Sequence, residues 1–205
     1  MPPKASYTKD EVLEAAVETV RRHGKDSLTA RNIAKQLGGS TQLIYSSFPS
    51  IKELEDAAAQ RALSRAIGYM QKENDPHSRF LSIGLGYLRF AREEPNLFDF
   101  LVMEKRKPWF ITGSESPLYQ LIQKMRQDWY FANIPDKVLK KLFNDMFIYT
   151  HGLCTLKTIR KIESNLQEER DYLQDMGGKL IAMTMLEVKQ KKSLEEIIQD
   201  IFCKK

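Results

Sequence analysis

Apolar side chains recur along this chain at spacings of three and four, the period of a helix buried on one face. Val12, Leu13, Ala16, Val17 and Val20 form the first stripe, opened by Thr8 and Glu11 in capping-box spacing and closed by Gly24. Residues 1–7 before it are expected to be a loose arm. After a short connector, Ile33, Ala34 and Leu37 mark one face of a helix over Thr29 to Leu37. Gly38-Gly39 supplies the positive φ that stops a helix and reverses the chain. Ser40 is then the expected N-cap of a short helix, Thr41 to Phe48, with Ile44 and Phe48 facing the core. Ser50 and Glu53 repeat the capping-box spacing and open a long helix that Asn74-Asp75-Pro76 breaks.

Beyond this break the apolar positions become rich in aromatics and methionine. Phe80 to Phe90 belong to a helix interrupted at Pro95, and Leu97 to Met103 to a short, very apolar one. Glu104 to Pro108 and Thr112 to Pro117 read as loops, with Trp109, Phe110 and Ile111 between them folding back onto the core. Leu118 to Phe131 is expected as one helix, with Leu121, Ile122, Met125 and Trp129 on its buried face. Pro135 and Asp136 begin a long helix reaching about Ile162. Asn165 precedes another, in which Gly177-Gly178 marks a kink or a close helix approach. Ser193 and Glu196 cap a last amphipathic helix. No stretch shows strand alternation, so the chain is all-α.

Composition narrows the class. A chain of 205 residues suits one domain or two small ones, and 42% apolar with 29% charged residues is ordinary for a globular protein. No run approaches the roughly 18 apolar residues of a membrane span, and the N-terminus lacks a signal-peptide core, so a cytoplasmic location is expected. Cys154 and Cys203 fit a reducing compartment and read as small packing residues. The net charge of +5 is modest, but residues 1–52 carry eight Lys/Arg against five Asp/Glu. That local excess would attract phosphates and make binding salt-dependent.

The short helix after the glycine turn presents Thr41, Gln42, Tyr45 and Ser46 opposite its core contacts, a face suited to the DNA major groove. The stretch resembles the helix-turn-helix of the TetR family of bacterial transcriptional regulators. The resemblance rests on Thr29-x-x-x-Ile33-Ala34, Gly38 in the turn, Tyr45-x-x-Phe48 and Leu54, set between a preceding and a long following helix. Ile51 stands where the family usually has a lysine, with Lys52 next to it, and Gly39 where a β-branched residue is usual. The segment from Tyr87 to Glu104 is also similar to the first ligand-domain helices of many members.

The resemblance implies an N-terminal three-helix DNA-binding domain over residues 1–50 and a helical effector-binding and dimerisation domain over 51–205. It implies base contacts from Thr41, Gln42 and Leu43, and phosphate contacts from Tyr45, Thr29 and Lys52; Arg31 is placed to reach a phosphate or groove edge, and Ser46 lies on the same face. A palindromic operator bound by a homodimer, joined through the two long C-terminal helices, follows from the same source. So does a small apolar or aromatic effector that releases a repressor, with Phe90, Phe98, Trp109, Trp129, Phe147 and His151 as candidate lining. Read from the residues alone, these aromatics are as well explained by core packing, and His151 by a satisfied core histidine. The C-terminal helices could equally complete the monomer's core.

Enzymatic readings find no support. His23, His77 and His151 form no metal pair, and no nucleophile elbow, phosphate-binding glycine loop or zinc-protease motif is present. No catalytic residue, metal or cofactor is expected. A helical protein acting mainly through protein partners is the remaining alternative.

Overall fold

The computed structural model describes residues 7–102 and 118–202. Trp109 and its neighbours, Lys4 and Cys203 lie outside them. Within them all regular structure is helical: α1 (Lys9–His23), α2 (Ala30–Leu37), α3 (Thr41–Ser47), α4 (Ile51–Lys72), α5 (Arg79–Glu93), α6 (Pro95–Val102), α7 (Tyr119–Met125), α8 (Asp136–Thr158), α9 (Leu166–Gln190) and α10 (Leu194–Phe202). No described helix is long and apolar enough to cross a membrane. The helices form two compact units. One comprises described residues 7–68 and 89–102, the other 69–88 and 118–202, so α4 and α5 each contribute to both.

In the first unit α1 packs on α2, α3 and α6. Its stripe of Val12, Ala16, Val17 and Val20 is fully buried, as are Ile33 and Leu54. Thr8 and Glu11 close the expected capping box on α1. Polar bonds fix the frame around this core. The Arg61 guanidinium reaches Asp10 and Glu14, and Arg65 donates to Glu14 at 2.8 Å, tying α4 to α1. Asn96 donates to the Arg21 carbonyl at 2.9 Å and so engages the end of α1. Tyr7 departs from the expected loose arm, because its hydroxyl donates to the Leu37 carbonyl at the end of α2.

In the second unit the core is built from Met70, Tyr87, Leu121, Met125, Phe131, Leu139 and Leu173, among others. At Gly86 a Cβ would fall 2.6 Å from both the Met70 Cα and the Tyr69 carbonyl oxygen, so α5 meets the end of α4 backbone to backbone. Lys124 reaches that same end. Its ammonium donates to the carbonyls of Met70 (2.9 Å), Gln71 (2.9 Å) and Glu73 (2.6 Å), the orphan acceptors of a helix C-terminus.

The expected helix from Leu118 to Phe131 ends early, at Met125, and resumes only as a 3₁₀ turn over Trp129–Phe131. Asp128 is the reason: its carboxylate accepts from the backbone N–H of Arg79 (2.8 Å) and Phe80 (3.0 Å), capping α5 from a distant part of the chain. The bend turns Trp129 outward to 86% exposure, which corrects its expected place on a buried face. The helix expected to reach Ile162 stops at Thr158, where Arg160 adopts φ 53° and Lys161 donates back to the Leu156 carbonyl at 2.8 Å. Gly177-Gly178 lies inside an unbroken α9. A Cβ on Gly177 would meet Phe80 at 3.6 Å, an ordinary van der Waals contact, and one on Gly178 would meet nothing, so neither a kink nor a close approach accounts for the pair. Ser193 and Glu196 cap α10 as expected.

Candidate nucleic-acid interface and interior cavities

Thr29 opens α2, its Oγ1 accepting from the Asn32 N–H at 3.2 Å. Gly38 closes it in the left-handed region at φ 66°, with the Gly39 N–H donating to the Ala34 carbonyl at 2.9 Å. The chain reverses there and enters α3. Ser40 occupies the cap position but makes no side-chain cap bond, contrary to expectation. α3 is held by Ile44 and Phe48, which are 1% and 3% exposed. The Lys9 ammonium lies 4.8 Å from the Phe48 ring centroid, covering its outer side.

With those two anchors turned inward, Thr41, Gln42, Tyr45 and Ser46 are exposed and Leu43 is half-buried. Tyr45 stands 49% exposed, a large aromatic left in water where a structural residue would be covered. The Ser46 hydroxyl donates to the Leu43 carbonyl at 2.7 Å and retains acceptor capacity. Thr29 and Arg31 are exposed at the start of α2. Lys52 is exposed at the start of α4 and pairs with Asp56 at 3.1 Å. Such an exposed i,i+4 pair is worth only about 0.3–0.5 kcal/mol, so the ammonium is readily released to a phosphate. Lys35, one turn after Arg31 and also exposed, went unremarked in the sequence, although its spacing places it on the same side of α2.

The aromatic residues expected around an effector are not gathered in one place. Phe90 and Phe98 are core residues of the first unit, 0% and 1% exposed. Trp129 is exposed, and Trp109 lies outside the described residues. Phe147 lines a cavity with Met70, Phe80 and Tyr87, but its volume of about 20 Å³ is room for little more than a water molecule. His151 stacks beside Phe147 and its Nδ1 lies 2.9 Å from the Tyr87 hydroxyl. Burial lowers the His151 pKa and keeps the ring neutral. The half-buried ring thus has a hydrogen-bond partner within its own unit. A larger cavity of about 190 Å³ opens elsewhere in the second unit, between the start of α5, Tyr130 and α9. None of the five expected residues that are described lines it.

Residues 12–58 match the sequence model of the tetR family of bacterial regulatory proteins. The chain is 29% identical over 114 residues to the HTH-type transcriptional repressor DrrR1 of Streptomyces coeruleorubidus, a match covering 56% of this chain and 38% of that protein. Its fold is similar to a tetR-family transcriptional regulator from Streptomyces coelicolor, with TM-score 0.57 and 17% identity over 95% of this chain and 96% of the other. A TetR-like regulator from Rhodococcus sp. RHA1 is similar too, with TM-score 0.58 and 17% identity over 85% and 95% of the two chains. At such identities the structural likeness is one of fold.

Proposed function

The chain belongs to the TetR family of bacterial regulatory proteins, and from that premise we propose that it represses transcription by binding a palindromic operator as a homodimer. In this reading residues 1–50 contact DNA and residues 51–205 carry dimerisation and effector binding. The observation that carries it is α3, anchored by Ile44 and Phe48 beyond the left-handed Gly38 and offering an exposed face of small polar groups and one tyrosine. Gln42 is suited to pair with an adenine edge, and the Thr41 methyl or Leu43 to touch a thymine methyl. Tyr45, Thr29, Arg31, Lys52 and Lys35 are suited to phosphates, with Ser46 beside them.

Association is supported by apolar side chains left in water on the two long helices of the second unit. Ile148 on α8 and Ile159 just beyond its end are 62% and 53% exposed, and Leu166 on α9 is 64% exposed. A two-fold dimer covers such a face and doubles the few base contacts that one recognition helix makes. Release by a small molecule would act through α4, which like α5 contributes to both units, to the extent that the molecule binds two conformations unequally.

Selection of bound duplexes from a random library, followed by salt titration of the winners, tests the reading. A two-fold-symmetric site bound far above bulk DNA, by a species of twice the chain mass in light scattering, is the expected result. Weak, steeply salt-dependent binding with no enriched sequence would overturn it and favour a role through protein partners.

A further inference from the structure

The cavity of about 190 Å³ in the second unit has two unlike walls. Phe80, Met146, Leu173 and Ile181 make one of them apolar, and Gly178 leaves its part of α9 without a side chain. The polar lining comprises Asp75, His77 and Gln174 together with Ser78 and Tyr130, and the hydroxyls of the last two form a triangle with the buried Asp128 carboxylate. Tyr130 lies 3.0 Å from Asp128 Oδ2, Ser78 lies 3.3 Å from it, and the two hydroxyls are 3.1 Å apart. A carboxylate only accepts. Two hydroxyls have two protons, and the triangle consumes both, whichever way the Ser78–Tyr130 contact runs. Burial raises the Tyr130 pKa above its ordinary 10, so its proton stays on. Ser78 Oγ also accepts from the Leu81 N–H at 3.1 Å, so what these two hydroxyls offer the cavity is lone pairs, chiefly those of Tyr130, with a carboxylate behind them.

Size restricts the occupant further. A dry apolar cavity of roughly 150 Å³ accommodates benzene, whereas pockets for drug-sized ligands run from about 300 Å³ upward. We propose that this cavity binds a compact single-ring molecule bearing one hydrogen-bond donor, an amine or an alcohol, with the ring between α5 and α9 and the donor on Ser78 and Tyr130. The proposal rests on the effector reading above and gives that effector a chemical class. It also gives it a route. Asp128 caps the start of α5, and Lys124, one turn earlier in the chain, closes the end of α4. A donor seated on Ser78 and Tyr130 pulls on the group that holds the α4–α5 turn.

Three probes of one size separate the possibilities: benzylamine, benzyl alcohol and benzoate, titrated calorimetrically into the full chain. Benzylamine and benzyl alcohol are expected to bind one per chain with Kd on the order of 1 mM, as suits about eight heavy atoms. Benzoate, which brings an acceptor to lone pairs, should bind at least tenfold more weakly. Gly178 is exposed on the rim of the cavity and a Cβ there meets nothing within 4 Å, so Gly178→Leu adds bulk at the rim while improving helix propensity, and should weaken both binders at least tenfold. Tyr130→Phe should weaken them severalfold and leave the ring's site intact. Equal binding of benzoate, unchanged binding to Gly178→Leu, or no binding by any probe overturns the assignment. Affinity for the selected operator is then measured with and without benzylamine. Binding in the expected order with unchanged operator affinity upholds the cavity assignment and refutes the release reading instead.

Discussion

The Tyr87 hydroxyl lies 2.9 Å from His151 Nδ1, joining α5 to α8 through the polar tips of two stacked rings. Burial lowers the His151 pKa below its ordinary 6.5. The sign follows: above the ordinary value both folded and unfolded chains hold a neutral ring, and this residue has no effect on the pH dependence. As pH falls below it, the unfolded chain takes up the proton first, so stability is lost progressively toward and through the folded value. His151→Phe removes this titration. Thermal melts of the two proteins from pH 8 to pH 5 should diverge below about pH 6.5, with the wild type losing more; parallel curves would show that His151 does not titrate within the fold.

Gly38 sits at φ 66°, where a side chain is disfavoured by roughly 1–2 kcal/mol. Gly38→Ala should lower the free energy of unfolding by that amount, read as a lower urea midpoint at unchanged m. Gly39 has no such constraint, but a Cβ there would stand 3.2 Å from Leu43 Cδ2 and press on α3. Gly39→Ala should thus change operator affinity more than stability, the reverse of Gly38→Ala. Chemical denaturation beside a DNA titration distinguishes the two.

Exposed groups on α3 divide into those that would read bases and those that would hold the backbone. Gln42→Ala should cost about 1–3 kcal/mol on the preferred site and relax selection at one base pair. Tyr45→Phe, losing only a hydroxyl, should weaken every sequence alike. Lys52→Met should do the same and reduce the slope of log affinity against log salt by about one. Binding to a panel of single-base operator variants at three salt concentrations checks all three.

Lys124 donates to three carbonyls at the end of α4, and burial lowers its pKa. Lys124→Met keeps the apolar stem and removes the donors. Charged hydrogen bonds of this kind are worth about 1.5–3 kcal/mol, and the variant should lose stability on that scale. Hydrogen exchange should accelerate first over residues 69–73; uniform acceleration along the chain would contradict a local closing role.

How much of this was legible in the sequence depended on the range of the forces involved. The capping pairs Thr8/Glu11 and Ser193/Glu196 and the Gly38 turn are set by neighbours within a few residues, and each is found where the pattern put it. Trp129 was misread because Asp128 bends the chain to serve the N-terminus of α5, a bond no periodicity announces. Tyr7 likewise finds its partner at Leu37, beyond any local signal. Aromatic residues pointed to a pocket only as a class, and the 190 Å³ cavity is instead walled by residues scattered from Asp75 to Ile181, two of them glycines beside each other on α9.

Gly86 removes one kind of movement from the molecule. With its Cα against the Met70 and Tyr69 backbone, α5 has no side chain to ride over at that crossing, and any Cβ brought to that position would stand 2.6 Å from the α4 main chain. Sliding is therefore blocked, and the two helices must turn together, as a splint rather than a piston.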